Sequence, residues 1–349
     1  MINIQAVELE NYVREIFLAV GLNQEEAIET AKHLVTADLK GVSSHGVHRV
    51  PIYVKRLRLN VISNNSSILV ERETPVSLKV NGGNGIGPYV VRQAIELGIQ
   101  KAKDIGMCAV AIHHSNHAGI LSYYTELAVK NDLIAFATTN APANMAPFGG
   151  KERYFGTNPF SIGVPAGNEL PYILDMATSV VAKGKIIKAM NDNKSIPLGW
   201  AIDKDGNDTT DSKAAFDGLV LPLGGAKGYG LAFMVDIFSG ILSGANWGPH
   251  INDLYSNFET PQNLGQFIWL MRPDLFMEME DFKARMDQAI REIRSVEKTP
   301  SISRIYIPGE LEHDLYVNRM EEGIPLEDTI WTELKLLGDE LGLNKSYVI

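Results

Sequence analysis

The chain has a single cysteine, Cys108, among 349 residues, so no disulfide can form within it. It lies in the apolar run 107–112, where a buried and unreactive thiol is expected. No apolar run approaches the roughly 20 residues of a membrane-spanning helix, and Asp236 interrupts the longest candidate, at 230–241. The N-terminus also lacks the basic region and apolar run of a secretory signal peptide. These absences predict a cytoplasmic protein.

Positive charge is also scarce. Lysine and arginine total 32 against 42 aspartates and glutamates, which gives a net charge of −10, and there is no long basic run. This charge balance argues against nucleic acids and membrane surfaces as partners. Apolar residues make up 45% and charged residues 21%, as in an ordinary globular chain long enough for two lobes.

Hydrophobic periodicity predicts three N-terminal helices, at about 9–20, 23–39 and 49–59. Strand and helix patterns then alternate, which indicates an α/β sheet; they cover 76–80, 89–103, 107–113, 123–131 and 133–138. Further predicted elements are strands at 160–164 and 172–175, and helices at 182–191, 228–243, 281–294 and 324–341. We expect residues 1–70 and 300–349 to form a helical lobe, and 71–299 to form an α/β domain that binds cofactor and substrate.

A glycine cluster at 83–87 follows a strand and precedes a helix, as the phosphate loop of a Rossmann fold does. The Rossmann fingerprint needs G-x-G-x-x-G and an acidic residue roughly 20 positions later. Here the third glycine comes one position early, and the next strand ends at His113 and His114 with no carboxylate. We therefore interpret the cluster as a turn shaped for packing.

Two short motifs carry the residue types of a proton-transfer site, at 44–49 (SHGVHR) and 114–119 (HSNHAG). Histidine exchanges a proton near neutral pH, and arginine binds a carboxylate through two parallel hydrogen bonds. The first motif precedes a helix, whose start favours an anion. His117 and His45 are thus candidate acid/base groups, and Arg49 is a candidate carboxylate anchor. Hydrogen-bonded or salt-bridged surface roles are the alternative for each.

The three histidines at 113, 114 and 117 could also suggest a metal site. They lack the H-E-x-x-H spacing, and no nearby group of Asp, Glu or Cys residues joins them, so no metal is expected.

A glycine-rich segment at 224–230 (GGAKGYG) precedes an apolar stretch. It is not a Walker loop, because glycine follows Lys227 where Ser or Thr is required. The segment is either a helix-entry loop or a cradle in which the backbone and Lys227 hold a phosphate. The segment 175–179 (DMATS) likewise ends a strand before a helix, and by itself it is a helix-capping sequence.

Taken in order, these pieces resemble the type-2 malate/L-lactate dehydrogenase family, which is distinct from the Rossmann lactate and malate dehydrogenases. The matching segments span nearly the whole chain: 44–49, 116–119, 139–150, 156–159, 175–185, 224–230 and 307–310. The resemblance implies an NAD(P)-dependent oxidoreductase of small 2-hydroxy or 2-keto acids. It also implies a non-Rossmann α/β fold with a mixed sheet, a small carboxylate substrate, and a homodimer or higher even oligomer.

The resemblance further implies roles for single residues. His117 matches the proton acceptor of members that oxidise ureidoglycolate, and His45 matches the proton donor of the diketogulonate reductases. The substrate-binding positions are Ser44, Arg49 and Tyr53. The cofactor-contact positions are Asn140, Ala141, Asp175, Met176, Ala177, Lys227, Pro308, Gly309 and Glu310. Ala141 stands where relatives often carry serine, so that side-chain contact is lost.

Three segments, at 154–156, 195–200 and 263–266, resemble the ureidoglycolate dehydrogenases of allantoin breakdown more than the generic malate pattern. The expected reaction is therefore the oxidation of (S)-ureidoglycolate to oxalurate, with NAD as cofactor and NADP as the alternative. Malate or L-lactate comes next, then sulfolactate or a sugar-derived keto acid. Two other classes are a non-catalytic NAD-binding sensor and a metal-dependent hydrolase. The intact histidine and arginine set argues against the sensor, and the missing carboxylate ligands argue against the hydrolase.

Overall fold

The computed structural model describes residues 1–343. The strands are β1 (Ile2–Ile4), β2 (Leu69–Thr74), β3 (Ser77–Asn81), β4 (Met107–Ser115), β5 (Ile134–Thr139), β6 (Phe160–Val164), β7 (Tyr172–Met176), β8 (Ala201–Ile202), β9 (Asp208–Thr209), β10 (Leu219–Val220), β11 (Leu264–Met271) and β12 (Ile324–Leu326). The α-helices are α1 (Ala6–Ala19), α2 (Gln24–Leu39), α3 (Val50–Arg58), α4 (Gly87–Ile105), α5 (Ser122–Val129), α6 (Lys183–Asn191), α7 (Ser212–Asp217), α8 (Ala226–Asp236), α9 (Met279–Ser295), α10 (Glu310–Glu322) and α11 (Asp328–Glu340).

A seven-stranded mixed sheet in the order β2-β3-β4-β11-β5-β6-β7 forms the centre of the fold. Only β3 and β4 are parallel neighbours, and the other five pairs are antiparallel. Strand β11 lies between β4 and β5, so these two strands, which α5 joins along the chain, are not neighbours in the sheet. The predicted fold class, an α/β mixed sheet that is not a Rossmann fold, is confirmed.

One edge of this sheet collects the chain segments that carry the motifs. The pairs Ser115↔Leu264 and Phe160↔Met176 show that β4 and β7 end where β11 and β6 begin. The pair Thr139↔Gln266 places the end of β5 at the same edge. The loops after β4, β5 and β7 therefore leave the sheet side by side.

Helices from the two ends of the chain pack together beside the sheet. Strand β1 pairs with β12, and Trp331 and Leu334 of α11 join a core with side chains of α1, α2 and α3. Asn23 caps α2 in a reciprocal capping box with Glu26, which fixes where this helix begins. The boundaries proposed for this lobe, 1–70 and 300–349, stay predictions, and residues 344–349 lie outside the described part of the chain.

A second core lies between α4, α5 and the sheet, and it includes Cys108, which is buried as expected. No helix within residues 1–343 is long and apolar enough to span a membrane.

Two predicted elements differ in the structure. The helix expected over 324–341 begins only at Asp328, because Ile324–Leu326 is a strand paired with β1. A three-residue apolar run fits either structure, and a partner elsewhere in the chain decides. The helix expected over 228–243 is α8 followed by a π-helical turn at Ile237–Leu242.

Candidate active site

Two loops meet to form the site. The first links α2 to α3 through two 3₁₀ turns, Ser43–His45 and Val47–Arg49. Arg49 and Tyr53 are four residues apart at the start of α3 and so lie on one helix face. The second loop follows β4 and carries His117.

The rings of His45 and His117 stack, with centroids 5.4 Å apart and planes inclined by 21°. The Tyr53 hydroxyl lies 2.6 Å from His117 Nδ1 and 3.3 Å from the His117 carbonyl oxygen. The Ser44 hydroxyl lies 2.9 Å from His45 Nδ1. Each Nδ1 is thus held by a hydroxyl, which can donate or accept, and each Nε2 is left for a substrate. Either histidine can therefore release or take up a proton at Nε2.

Arg49 lies beside this pair. Its Nε donates to the Ser44 carbonyl oxygen at 2.9 Å, and one terminal nitrogen donates to the Tyr255 hydroxyl. Its guanidinium lies 5.5 Å from the centroid of the Tyr255 ring. Within residues 1–343 no carboxylate forms an ion pair with Arg49, so its remaining N–H groups can bind a carboxylate from a ligand.

The electrostatics of the site favour an anion. Burial lowers the pKa of His45 to about 3, and the positive charge of Arg49 adds to this effect. Burial, Arg49 and His45 together hold the pKa of His117 well below its usual range. Burial raises the pKa of Tyr53, so its hydroxyl keeps its proton at any physiological pH. Both imidazoles are therefore neutral in the free protein, and a bound carboxylate would offset the charge of Arg49.

The pH dependence of the rate tests whether His117 is neutral. The value of kcat/KM reports the titration of the free protein. For a histidine of ordinary pKa, about 6.5, the neutral fraction at about pH 6 is about four-fold lower than at high pH. We expect kcat/KM for oxidation to show no decrease with a midpoint near pH 6.5, because His117 stays neutral at that pH. The measurement is the pH profile of kcat/KM in constant-ionic-strength buffers, and a clear inflection at 6.5 would contradict the electrostatics described above.

The glycine cluster at 83–87 packs against the loop that carries His117. This agrees with its interpretation as a turn shaped for packing. The Asn116 amide donates to the carbonyl oxygens of Asn84 and Gly85 at 3.2 and 2.9 Å. A Cβ atom on Gly87 would overlap the backbone carbonyl oxygens of Asn116 and His117. The turn therefore needs glycine for space.

We predict that Gly87→Ala destabilises the protein by about 1–3 kcal/mol and lowers turnover, because the clash is with backbone that cannot rotate away. Gly184→Ala is the matched control for stability, since nothing lies within 4 Å of a Cβ there. Urea denaturation and initial rates measure both effects. Equal stability of the two variants would show that the His117 loop moves freely.

The predicted cofactor residues follow the outer strands of the sheet. Asp175, in β7, accepts the Ser122 N–H at 2.7 Å and so joins β7 to the first residue of α5. Although Asp175 as a whole is exposed, loss of solvent around its carboxyl group raises its pKa. Met176 and Ala177 follow, partly exposed. The Leu223 N–H donates to the Thr178 carbonyl oxygen at 2.9 Å, which brings the glycine-rich segment 224–230 to the end of β7.

This segment has an open backbone. Gly224 and Gly225 have φ of +59° and +66°, and nothing lies within 4 Å of a Cβ on Gly224. The exposed Lys227 follows in the first turn of α8. A helix start with bare N–H groups and an adjacent lysine fits an anionic pyrophosphate. The residues present therefore fit a dinucleotide cofactor.

Two of the predicted cofactor residues have side chains engaged within the protein. Asn140 donates to the Asn246 carbonyl oxygen at 2.7 Å and accepts the Gly265 N–H at 3.1 Å, so it ties β5 to β11. Glu310, 1% exposed, pairs with Arg294 and Arg304. Cofactor contacts by these two residues stay predictions, and the geometry gives their side chains a structural role.

The other three lie nearby. Ala141 donates its N–H to Asn158 Oδ1 at 3.1 Å, and the Pro308 carbonyl accepts the Ile173 N–H of β7 at 3.0 Å. Gly309 has φ of +98° and begins α10. Ala141 thus directly follows β5, and Pro308 and Gly309 lie beside Ile173 of β7.

Tyr255 and the residue that anchors its loop were not predicted from the sequence. Arg56 is fully buried and donates to the carbonyl oxygens of Leu254 and Asn257 at 3.1 and 2.7 Å. The sequence did contain one indication of this contact: an arginine three positions after Tyr53, on the buried face of α3, needs a partner. Tyr255 itself lies in a polar loop with no distinctive pattern.

The neighbouring histidines belong to a separate cluster. His113 contacts Glu71 at 2.9 Å and His114 at 2.6 Å. In the part of the chain that the structure describes, no three His, Cys, Asp or Glu side chains are arranged to hold a metal ion.

The fold and the comparisons with known proteins define the class: an NAD(P)-dependent dehydrogenase of hydroxyacids. A sequence model described as malate/L-lactate dehydrogenase matches residues 4–335. The chain belongs to the malate/L-lactate dehydrogenase family.

Three relatives illustrate the match. L-Sulfolactate dehydrogenase of Methanocaldococcus jannaschii is 40% identical over 330 residues, 95% of this chain and 94% of that protein. Its solved structure superposes with a TM-score of 0.93 and 38% identity, covering 98% of both chains. A malate/(S)-sulfolactate dehydrogenase of Methanothermus fervidus is 38% identical over 340 residues, 97% and 98% of the two chains. A ureidoglycolate dehydrogenase (NAD(+)) of Escherichia coli is 33% identical over 339 residues, 97% and 96% of the two chains.

Proposed function

We propose that the cleft formed by Ser44, His45, Arg49, Tyr53 and His117 is where a small 2-hydroxy acid is oxidised, or the matching 2-oxo acid reduced. The observation that carries this proposal is the pair of stacked histidines, each with Nδ1 held by a hydroxyl, beside a guanidinium that has no carboxylate partner within residues 1–343. Proton exchange and carboxylate binding are the two tasks that such a reaction requires of the protein.

The substrate carboxylate binds to the free N–H groups of Arg49. His117 Nε2 accepts the hydroxyl proton while Tyr53 accepts from Nδ1–H and donates to the His117 carbonyl oxygen. His45 Nε2 hydrogen-bonds the same substrate oxygen, or takes over the proton. In the reverse direction His117 first takes up a proton from solvent, and the resulting imidazolium donates its Nε2 proton to the 2-oxo oxygen while Nδ1–H stays bonded to Tyr53. When bound, the nicotinamide cofactor accepts or supplies the hydride; residues 175–177 and Lys227 would hold it at the end of β7.

Malate and sulfolactate are the substrates that we place first. Two relatives named for them are 40% and 38% identical to this chain, against 33% for a relative named for ureidoglycolate. Ureidoglycolate, the substrate expected from segments 154–156, 195–200 and 263–266, is the second candidate. NAD is the cofactor we propose, with NADP as the alternative.

A substrate panel tests this order. NAD(P)H absorbance is followed with malate, L-sulfolactate, (S)-ureidoglycolate and L-lactate, each with both cofactors. We expect the largest kcat/KM for malate or sulfolactate. A preference for ureidoglycolate would restore the order predicted from the sequence. Binding of NADH without turnover on any substrate would indicate a sensor and overturn the catalytic proposal.

We also propose a homodimer. Large apolar side chains are exposed on α8 and the segment after it, namely Phe233, Ile237, Ile241, Leu242 and Trp247. Several large exposed apolar side chains on one segment are typical of an interaction site. Light scattering should give a dimer for the parent chain and a monomer for Ile241→Glu, whereas Leu336→Glu, at an exposed position of α11, should stay dimeric. A monomeric parent chain would contradict this proposal.

A further inference from the structure

Helix α2 reaches the first catalytic loop through Asp38. This carboxylate is buried, and its Oδ2 accepts the Val47 N–H at 2.7 Å, two residues after His45. It occupies the space that a Cβ on Gly46 would fill. Gly46, which follows His45 in the motif, therefore leaves room for the Asp38 carboxylate of α2 to approach the loop.

The same helix reaches the second catalytic loop through His33. This ring is fully buried between Tyr123 and Tyr124, and its Nε2 accepts the Ile120 N–H at 3.0 Å. A Cβ on Gly119 would overlap Nε2. Each loop thus has a glycine beside the polar side chain of α2 that holds it.

The hydrogen bond from the Ile120 N–H fixes which ring nitrogen of His33 carries the hydrogen. Nε2 accepts an N–H, so it carries no proton, and in the neutral ring the hydrogen is on Nδ1. Nδ1 is buried and has no hydrogen-bond partner within residues 1–343. An unpaired buried donor destabilises a protein, and an apolar side chain would avoid that loss. His33 nevertheless supplies, at Nε2, the hydrogen-bond acceptor for the Ile120 N–H of the second loop.

Asp38 provides an acceptor in either protonation state. Burial raises its pKa to about 7, and a protonated carboxyl still has an oxygen that can accept the Val47 N–H. Its backbone carbonyl is in turn held by Arg319 of α10. The helix is therefore fixed at the point where it holds the first loop.

We propose that α2 sets the separation of the two catalytic loops, with His33 and Asp38 as positioning residues for His117 and His45. The inference rests on the proposed roles of those two histidines. The helix is a rigid spacer, since five residues span about 7.5 Å along its axis. Loss of either bond would let one imidazole move relative to the other, and a displacement of about 1 Å can lower the rate by about 100-fold.

The test compares variants that keep the acceptor with variants that lose it. His33→Gln places an amide oxygen near the position of Nε2, and His33→Leu fills the space without an acceptor. Asp38→Asn keeps an oxygen for Val47, and Asp38→Ala does not. Rates are expressed per NADH-binding site, so that a loss of folded protein does not count as a loss of catalysis.

We expect His33→Leu and Asp38→Ala to lose about 10- to 100-fold in kcat/KM for the hydroxyacid, with NADH affinity unchanged. His33→Gln and Asp38→Asn should recover most of this loss. If each pair of variants has the same kinetics per NADH site, the inference is overturned. Should Asp38→Ala not fold, the comparison of the two His33 variants decides.

Hydrogen exchange gives a readout independent of turnover. Asp38→Ala should accelerate exchange in residues 43–49, and His33→Leu in residues 117–122, with other segments unchanged. If the parent enzyme turns over none of the hydroxyacids, the proposed function fails by itself. Unchanged exchange in both loops would overturn the inference even then.

Discussion

Replacing His117 by asparagine should lower kcat/KM by about 10²- to 10⁴-fold, the usual effect of losing a general acid or base. Asparagine keeps a polar atom near the position of Nδ1, so the contact with the Tyr53 hydroxyl survives. What disappears is Nε2, the atom that exchanges the proton with the substrate. Initial rates in both directions, with NADH affinity measured by fluorescence, separate the loss of chemistry from a loss of binding.

His114→Asn is the control, because His114 lies three residues away in the other histidine cluster and is exposed. Its φ of +48° is a conformation that asparagine adopts readily, so the fold is preserved. This variant should keep near-parental rates. If His45→Asn abolishes turnover while His117→Asn retains it, the assignment of the principal proton acceptor is reversed, and His45 takes that role.

The elements that the sequence predicted well are those with strong local signals. The helical period of apolar residues indicated α1, Asn23 indicated the start of α2, and the strand 160–164 has the predicted bounds. Strand β11 was missed, although it lies in the middle of the sheet. Its partners β4 and β5 lie more than 120 residues earlier in the chain, and the buried Gln266 interrupts its apolar pattern.

The site shows the same division between local and long-range information. Arg49 and Tyr53 could be placed together because helical spacing relates them directly. Tyr255 could not, since it reaches Arg49 across 206 positions of sequence. The likeness to a family identified Asn140 and Glu310, but a motif does not distinguish a side chain that touches a cofactor from one that joins two strands or forms a buried ion pair. Only the contacts make that distinction.

Arg49→Lys should raise KM for the carboxylate substrate by about 10- to 100-fold with a smaller change in kcat. The guanidinium is held by the Ser44 carbonyl oxygen and the Tyr255 hydroxyl, so its free N–H groups have a fixed direction. Lysine keeps the charge but loses this planar geometry. A charge-assisted hydrogen bond contributes about 1.5–3 kcal/mol, and each 1.4 kcal/mol is about ten-fold in affinity.

The control is Arg58→Lys on the same helix, where the arginine forms an exposed ion pair with Glu340 at 2.8 Å. Exposed pairs contribute little, so this variant should match the parent enzyme. A comparison of substrates sharpens the result: the rise in KM for Arg49→Lys should be similar for malate and lactate, because both present the same C1 carboxylate. A rise confined to malate would mean that Arg49 binds the second carboxylate instead. Unchanged KM for both would remove Arg49 from the substrate site and leave its role as a partner of Tyr255.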